Sequence, residues 1–479
     1  MSGSVVDWID FNQKNKPQSN ALAGGILTLL VSGIHFGWIF NNDLISYPWA
    51  GGHSSFEKIL TYSSFFVGGV AGLYFASLVV NRLTKSNIYF SAMTFVSTGS
   101  VFFIIMPKSL YLILVARLFI GFGHGYAYLT LIVHASEIVT QKLRGLVVAS
   151  FNFVIICSVF MCGSFTMSFE SEESGFGAIQ WMGILGCFFS LLGFLFIAIF
   201  TRESPVALIR QKKFDQAVAL MIKLRCESEE TWSIKNEYNE LKVMVEEDEE
   251  SSTNIFDHKN LRPLIFITLL KIGTVLSFNF GLNMIRLMHS NAFVSEDNLN
   301  FSAMAFMGIR LSACMVTLFT IDAKGRRPHF LISYGGSSII LIIMGIVIAS
   351  TQSSWLIVIV QIIFDIISGV GIGMIADVYS SEAFNTMMKP RSIFFTTSIE
   401  YIFHIVLIVA TFNVYTSPKF GWIFMIGSGI LLLALTYLLY KKLPETAKMS
   451  IRQTRNEFMK TGEIVFSGSK MPPQSITFH

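Results

Sequence analysis

The chain contains twelve apolar segments of about 20 residues, the length that an α-helix needs to cross the hydrocarbon core of a bilayer. Six of them precede a polar centre, at residues 21–41, 59–80, 88–106, 110–136, 146–169 and 179–200. The other six follow it, at residues 263–288, 301–321, 329–350, 355–379, 392–416 and 420–440. The segments lack the polar face of helices in soluble bundles. With 52% hydrophobic residues and a mean hydropathy of +0.58, the chain is expected to be an all-α, multi-pass integral membrane protein.

The positions of Lys and Arg indicate how these segments are oriented. If the N-terminus is cytoplasmic, the opposite side of the membrane receives only Lys58, Lys108 and Lys419 among the basic residues outside the spans. Because basic residues accumulate in cytoplasmic loops, both termini are predicted to be cytoplasmic. The net charge of +4 then reflects membrane topology, and without a basic stripe with interleaved aromatics no nucleic-acid partner is expected.

The two halves of the chain repeat one another. Glu137 and Glu382 each end an apolar segment, and each has a basic residue seven positions later, Arg144 and Lys389. Each acid is also preceded by a spaced glycine triplet, at residues 121, 123 and 125 in one half and 369, 371 and 373 in the other. Parallel repetition inside a polytopic membrane protein is typical of a transporter with two lobes around a central site. We therefore predict two pseudo-symmetric six-helix lobes.

This repeat sets the predicted domain boundaries. We expect a cytoplasmic N-terminal segment at 1–20, a first lobe at 21–200, a cytoplasmic linker with short helices at 201–262, a second lobe at 263–440 and a cytoplasmic tail at 441–479. The acidic run at residues 246–250 is interpreted as a solvated, mobile stretch and not as a binding site. Asn300 begins a glycosylation sequon, but its closeness to a predicted membrane boundary argues against its use.

The sequence carries no pattern typical of an enzyme. No phosphate-binding loop follows a strand, and no nucleophile with a helper is evident. The five cysteines have neither metal-ligand spacing nor a pairing pattern in loops. The glycine triplets lie in membrane segments, where small residues allow helices to pack closely. We expect no catalytic residue, no metal and no cofactor.

Charged residues beside and within the spans need partners. The loop at residues 322–327, Asp-Ala-Lys-Gly-Arg-Arg, joins two spans, and its arginines can meet carboxylates at neighbouring helix ends. Arg117 falls within a span, where an unpartnered arginine costs about 2.5–3.5 kcal/mol. Arg117 is therefore expected to face a carboxylate or a water-filled path.

Together these motifs resemble the sugar porter family of the major facilitator superfamily, and within it the insect facilitated trehalose and hexose transporters. The resemblance runs from about residue 21 to residue 448, with the motifs in family order. The residues that carry it are Arg117, Gly121, Gly123, Gly125, Glu137, Arg144, Gly145, Glu203, Ser204, Pro205, residues 322–327, Glu382, Ala383, Phe384, Lys389, Pro444, Glu445 and Thr446.

The resemblance implies gating ion pairs at one end of the helices. In that family, acids and basic residues at the cytoplasmic helix ends form salt bridges within and between the lobes that hold the outward-open state. The residues assigned to gating here are Arg117, Glu137, Arg144, Asp322, Arg326, Arg327, Glu382 and Lys389.

The resemblance also implies a substrate cavity, but the residues expected there depart from the family. Asn152 replaces a glutamine, and Asn283 keeps the family asparagine. Ser277 and Phe278 replace a pair of glutamines, and Asn279 follows them. These five residues are expected to bind substrate, although the loss of two amides weakens the expected grip on sugar hydroxyls.

Two further cavity positions carry charges. Arg310 aligns with a family asparagine and Asp377 with a family tryptophan. We hypothesise that they form a salt bridge, because paired charges offset much of their desolvation cost; the alternative is that helix rotation sends each to a separate wet surface. If Arg310 and Asp377 bind each other, the remaining polar groups would bind a neutral polyol. If the two side chains instead face the ligand, they would bind a charged substrate.

The first helix indicates whether transport is coupled to protons. Proton-coupled sugar porters carry a carboxylate after a Phe-Gly-aromatic motif, and here residues 36–38 are followed by Ile39. We therefore predict facilitative transport. Four membrane histidines could carry protons, but packing is the favoured role for each; they are His35, His124, His134 and His404.

The functional prediction is a plasma-membrane carrier, monomeric as a transport unit, that moves a hexose or trehalose by alternating access. Two alternatives stay open. One is a non-transporting nutrient receptor of the same fold, because family sugar contacts are missing. The other is a transporter of organic ions that uses Arg310 and Asp377.

Overall fold

The computed structural model describes residues 3–40, 53–166, 177–250, 254–290, 299–350, 354–415 and 420–460. All the regular secondary structure in this part of the chain is helical, and twelve of its helical stretches are long and apolar enough to cross a membrane. The side chain of Asn300, most of the predicted N-terminal segment and residues 461–479 of the predicted tail lie outside the residues whose side chains are described.

Six spanning helices form the first lobe. The first begins at Gly3, well before the predicted span at 21, because polar residues extend the same helix beyond its apolar part. A short 3₁₀ turn, Trp38–Phe40, follows it. The helices are α1 (Gly3–Gly37), α2 (Ser55–Val79), α3 (Lys85–Ile105), α4 (Leu110–Ile138), α5 (Arg144–Thr166) and α6 (Ala178–Phe200).

Three shorter helices follow, α7 (Pro205–Arg210), α8 (Phe214–Arg225) and α9 (Trp232–Glu249). Ser204 caps α7 by accepting a hydrogen bond from the Ala207 N–H, and Pro205 occupies the first helical position, where its missing N–H costs nothing. We call the side of the molecule where these helices lie the linker side, and the opposite side the far side.

The second lobe repeats the pattern with more interruptions. Its helices are α10 (His258–Ser277), α11 (Phe280–Ser290), α12 (Leu299–Lys324), α13 (Arg326–Phe330), α14 (Gly336–Ser350), α15 (Ser354–Gly369), α16 (Met374–Glu382), α17 (Lys389–Tyr415) and α18 (Gly421–Tyr440). A π-helical turn, Leu331–Gly335, joins α13 to α14. A last helix, α19 (Ile451–Lys460), lies beyond the lobe.

Two of the predicted spans are broken. The seventh breaks at Phe278 and Asn279, between α10 and α11. The tenth breaks between α15 and α16, where Gly373 adopts a φ of +88°, a conformation that favours glycine. Broken membrane helices occur where the backbone is buried in protein or lines a cavity.

The repeated glycines do different things in the two lobes. In α4, Gly121 and Gly125 face the backbone of α2 near Phe65 and Gly69, so closely that an added Cβ would clash with carbonyl oxygens. In the second lobe the corresponding glycines lie at the break between α15 and α16, not inside a continuous helix as expected. One glycine pattern thus serves close packing in one lobe and a backbone turn in the other.

The two lobes meet mainly along five helices. In the first lobe, α2 packs on α17 of the second, and α5 packs on both α12 and α16. Each lobe has its own tight internal pairs, such as α2 with α4 and α14 with α18. The predicted twelve-helix architecture with two six-helix lobes is confirmed, and its interface places polar residues of both halves around one cavity.

Candidate functional site

A cavity lies between the lobes, near the middle of the long helices. The first lobe contributes Phe36, Phe65, Phe66, His124, Tyr128, Asn152, Ile155 and Ile156. The second contributes Thr274, Phe278, Arg310, Ile372, Glu400, Tyr401 and His404. The wall thus combines aromatic faces with a few polar groups, the usual composition of a small-molecule site.

Three of the seven predicted binding residues, Asn152, Phe278 and Arg310, line this cavity. Asn152 projects from α5 against the backbone at Gly373, in the break of the opposite lobe. Glycine is favoured there, because its φ is +88° and a Cβ at this position would lie 2.6 Å from the Asn152 amide nitrogen. The break therefore lets a polar residue of the first lobe reach the second.

The other four predicted residues are not among the described cavity-lining residues, and each is bonded elsewhere. The Ser277 hydroxyl donates to the Thr274 carbonyl of its own helix, at 3.0 Å. The Asn279 amide donates to the His404 carbonyl at 3.2 Å and so ties the break to α17.

Asn283 and Asp377 are occupied in the same way. The Asn283 carbonyl oxygen accepts from Arg286 at 3.1 Å. Asp377 is only 1% exposed and lies among charged neighbours behind the cavity wall. The placement of all four residues in the cavity is therefore corrected.

The predicted salt bridge between Arg310 and Asp377 is wrong. Asp377 Oδ1 lies 2.7 Å from Lys271 Nζ and also accepts a hydrogen bond from the Tyr128 hydroxyl. Arg310 Nη1 instead lies 3.9 Å from Asp365 Oδ1. Both acids are almost fully buried, and each lies beside a basic residue of another helix, Asp377 beside Lys271 and Asp365 beside Arg310.

Lys271 is the centre of a buried charge cluster that the sequence analysis missed. Its ammonium lies 3.0 Å from Glu400 Oε2 as well as beside Asp377, and it donates to the Tyr128 hydroxyl at 2.7 Å. Tyr128 belongs to the first lobe and the three charged residues to the second. The overlooked signal was the presence of acids inside apolar segments, because Asp365 and Glu400 need partners as much as Arg117 does.

An aromatic layer closes the cavity toward the far side. Tyr62 of α2 contacts Phe280 and Phe412 of the second lobe, with ring centroids 5.4 and 6.2 Å apart. Phe40 stacks on Phe278 at 5.2 Å. Each of these contacts crosses between the lobes, so this side opens only if the rings separate.

A set of hydrogen bonds closes the cavity toward the linker side. Besides the bond from Tyr128 to Asp377, the Lys389 ammonium donates to the Ser136 hydroxyl at 2.8 Å. Asp322 Oδ2 accepts from the Leu146 N–H at 2.7 Å. These contacts also join first-lobe to second-lobe residues, and they lie at the linker-side ends of the helices.

The predicted gating residues divide into those that pair within a lobe and those that do not pair. Arg326 lies 2.9 Å from Asp322 and 3.0 Å from Glu382, all in the second lobe. Glu137 is 3.9 Å from Lys85, within the first lobe. In the described part of the chain, no ion pair within 4.0 Å joins the two lobes, because the facing partners are a hydroxyl and a backbone N–H.

Three predicted gating residues form no ion pair within 4.0 Å among the described residues: Arg144, Lys389 and Arg327. Arg144 is 5% exposed and interacts electrostatically with Glu382 and Asp322 across the interface, but its Nε and Nη1 make no hydrogen bond in the described structure. Lys389 bonds to neutral oxygens. The Arg327 side chain donates to the Tyr440 carbonyl at 3.0 Å.

Arg117 does not face a carboxylate or a water path, contrary to expectation. It is fully buried, and its guanidinium donates to the carbonyls of Thr61 and His35 at 3.1 Å each. It also lies over the Trp38 ring, 4.8 Å from the centroid. Neutral carbonyls and an aromatic face thus replace the expected acid, so Arg117 fastens α4 to α1 and α2.

The motif that follows the second lobe, with Glu445 and Thr446, acts as an anchor. Glu445 accepts hydrogen bonds from the backbone N–H groups of Arg326 and Arg327, at 3.0 Å each. The Thr446 hydroxyl donates to Glu382 Oε2 at 2.6 Å. The segment after α18 therefore holds the Arg326 loop in place beside the linker-side closure.

The acidic run of the linker is not simply solvated, as had been expected. Asp248 is 1% exposed, and its carboxylate accepts from the Thr386 N–H and hydroxyl at 2.8 Å. Arg455 of α19 lies 2.6 Å from the same carboxylate. Asp248 thus connects the linker, the loop before α17 and the last described helix.

Comparison with known proteins agrees with this architecture. The family described as "Sugar (and other) transporter" matches residues 7–458. A sugar transport protein of Oryza sativa subsp. japonica, MST4, is 21% identical over 82% of this chain and 77% of its own length. The galactose-proton symporter of Escherichia coli (strain K12) is 23% identical over 82% of this chain and 83% of its own.

Solved structures show the same fold. The proton:xylose symporter XylE bound to 6-bromo-6-deoxy-D-glucose superposes with a TM-score of 0.74 at 15% identity, covering 92% of this chain and 100% of that one. The inward-open form of the Escherichia coli xylose transporter gives 0.62 at 15% identity over 92% and 98%. These proteins are transporters and not enzymes. The family match over most of the length establishes that this chain belongs to the sugar transporter family, and its twelve spans in two lobes around one cavity have the major facilitator fold.

Proposed function

We propose that this protein carries a small sugar, a hexose or trehalose, across the plasma membrane by alternating access. The observation that carries the proposal is the central cavity lined by both lobes, with a separate closure on each side. Rocking of the lobes can break one closure while the other holds, which exposes the cavity to one side at a time.

Substrate contacts would come from both lobes. Asn152 offers donor and acceptor groups for hydroxyls, while Phe36, Phe65 and Phe278 offer ring faces for the apolar side of a sugar. Arg310 and Glu400 add one charge of each sign to the wall. Asp377 acts indirectly, by holding Lys271 and Tyr128 beside the cavity.

The linker-side gate consists of hydrogen bonds that are set in position by ion pairs. Arg326 fixes Asp322 and Glu382, and Asp322 then accepts from the Leu146 N–H across the interface. Such bonds cost less to break than an interlobe salt bridge, which suits a gate that opens in every cycle.

The proposed mode is facilitative. The 3₁₀ turn after α1 carries Ile39 where proton-coupled sugar porters carry a carboxylate. His124 is bonded to Ser32 at 2.7 Å, and His404 stacks on Phe66 with its ring 4.6 Å away, so both histidines are held by packing. The motifs resemble those of the insect facilitated trehalose and hexose transporters, which supports this mode. The proposal also places both termini in the cytoplasm and takes the monomer as the transport unit.

Uptake into proteoliposomes tests this proposal. The purified full-length chain should exchange labelled glucose or trehalose without an imposed pH gradient, and a gradient should not cause accumulation. Protein-free liposomes and the Asn152→Leu variant serve as controls, the latter because it replaces the first-lobe amide by an apolar side chain with the same branching. Binding without translocation of any sugar would contradict the proposal and favour the receptor alternative.

A further inference from the structure

Arg310 is an unusual residue for a neutral-sugar cavity. It is only 2% exposed, it lines the cavity, and in the described part of the chain its guanidinium makes no hydrogen bond. The Phe278 ring lies 4.6 Å from its central carbon and so fixes the plane of the guanidinium. A buried arginine with unfilled donors requires an explanation, because each unsatisfied polar group carries a desolvation cost.

The nearest acid does not supply that explanation. Asp365 Oδ1 is 3.9 Å from Arg310 Nη1, which is beyond hydrogen-bond distance. Its other oxygen accepts from Gln361 at 2.5 Å, and a second arginine, Arg286, interacts electrostatically with the same carboxylate. Two buried guanidiniums therefore share one acid, which leaves an excess positive charge beside the cavity.

The opposite imbalance occurs at Glu400. Lys271 is shared between Asp377 and Glu400, so this cluster carries an excess negative charge. Glu400 Oε2 contacts Lys271, whereas Oε1 has no hydrogen-bond partner among the described residues. Because Glu400 lines the cavity, that oxygen is available to accept hydrogen bonds from a ligand.

These two imbalances specify a ligand with two different ends. A planar guanidinium with free donors binds a carboxylate through two parallel hydrogen bonds, and the charges then balance. The carboxylate of Glu400 instead needs donors, which hydroxyl groups provide. Between the two, Asn152, Thr274 and Tyr401 offer further polar atoms for a polyhydroxy chain or ring.

We propose that the cavity prefers a sugar acid, such as a hexuronate, over the neutral hexose, with Arg310 binding its carboxylate and Glu400 accepting from its hydroxyls. The inference rests on the proposed function and refines its substrate class. It also corrects the organic-ion alternative, since the acid that faces the cavity is Glu400 and not Asp377.

Ligand binding to the purified full-length protein tests this preference directly. D-glucuronate should raise the thermal unfolding midpoint at concentrations about tenfold lower than D-glucose does. Arg310→Gln should remove that difference between the two sugars, and Arg310→Lys, which keeps the charge but not the paired donors, should restore only part of it. Arg286→Gln is the matched control, because it removes a buried arginine beside Asp365 that does not line the cavity.

Transport assays separate this inference from the proposed function. Uptake of labelled glucuronate that exceeds glucose uptake in wild-type proteoliposomes, and that Arg310→Gln abolishes, would support both. Glucose uptake that glucuronate does not inhibit would overturn the sugar-acid preference and leave the proposed function intact. Uptake of neither solute would overturn both, and tighter binding of a zwitterionic amino acid than of glucuronate would overturn the inference about Glu400.

Discussion

Lys271 Nζ lies 2.7 Å from Asp377 Oδ1 and 3.0 Å from Glu400 Oε2, so that one buried ammonium joins α10 to both α16 and α17. The three helices belong to one lobe, and the hydrogen bond from Lys271 to the Tyr128 hydroxyl extends the cluster to the other. Substrate cavity and interlobe closure thus share the same charged residues, which gives a ligand at Glu400 a direct route to the gate.

Replacing Lys271 by Met is expected to destabilise the protein strongly. The change leaves two buried carboxylates without their cation, and breaking a buried pair in this way costs about 3–5 kcal/mol. The apparent unfolding midpoint of the detergent-purified protein measures the effect. Adding Asp377→Asn and Glu400→Gln should recover much of the loss, whereas exposed Lys223→Met should have little effect. If Lys271→Met alone proved as stable as the wild-type protein, that result would contradict the assigned role of the cluster.

Tyr128→Phe is expected to weaken the linker-side closure without harming the fold. The change removes only the hydroxyl that reaches Asp377 and Lys271 across the interface, a loss of about 1–3 kcal/mol from the closed state. A cysteine placed at Ile372 in a cysteine-free background should then react faster with an impermeant thiol reagent applied from the linker side.

Tyr126→Phe is the control for that experiment, because the Tyr126 hydroxyl makes no hydrogen bond to any described residue. Equal reaction rates in the two variants would show that the Tyr128 hydroxyl does not hold the gate.

The adjacent residues Arg326 and Arg327 provide a test variant and its control for the linker-side gate. Arg326→Ala leaves Asp322 and Glu382 without their cation, and Asp322 can no longer be held against the Leu146 N–H. Sugar exchange should slow by roughly tenfold or more while membrane insertion is retained. Arg144→Ala is expected to act in the same direction through its electrostatic interaction with Glu382.

Arg327→Ala should have a much smaller effect, since among the described residues its side chain contacts the Tyr440 carbonyl and ring at the edge of the lobe. Normal exchange rates in both Arg326→Ala and Arg144→Ala would count against the gating assignment.

Much of the fold could be predicted from the sequence, because a run of about 20 apolar residues is a local signal. The breaks at Phe278 and Gly373 could not, because a short irregular turn inside an apolar run leaves the hydropathy unchanged. Of the residues proposed from motif positions to bind substrate, Asn152, Phe278 and Arg310 line the cavity. The pairing of Arg310 with Asp377 failed for a different reason: partners depend on how each helix is rotated and on residues, here Lys271 and Asp365, that lie on other helices.

Asp248→Ala and Glu247→Ala compare a buried and an exposed acid on the same turn of α9. Asp248 bonds to Thr386 and Arg455, and its loss should lower the unfolding midpoint by an amount equivalent to about 1–3 kcal/mol. Glu247 contacts Arg452 at the surface, where an ion pair contributes about 0–1 kcal/mol. If the two variants proved equally stable, Asp248 would not be the connection between linker and tail.

Gly373→Ala is expected to impair transport more than its size suggests. The residue has a φ of +88°, which costs an alanine about 1 kcal/mol or more, and its Cβ would lie 2.6 Å from the Asn152 amide in the cavity wall. Gly427→Ala is the natural comparison, because that glycine lies on an exposed face of α18 with no neighbouring atom within 4 Å of the new methyl group. Sugar exchange in proteoliposomes should fall severalfold in the first variant and stay at the wild-type rate in the second. Equal rates would mean that the break before α16 tolerates a side chain, and that Asn152 does not depend on it to face the cavity.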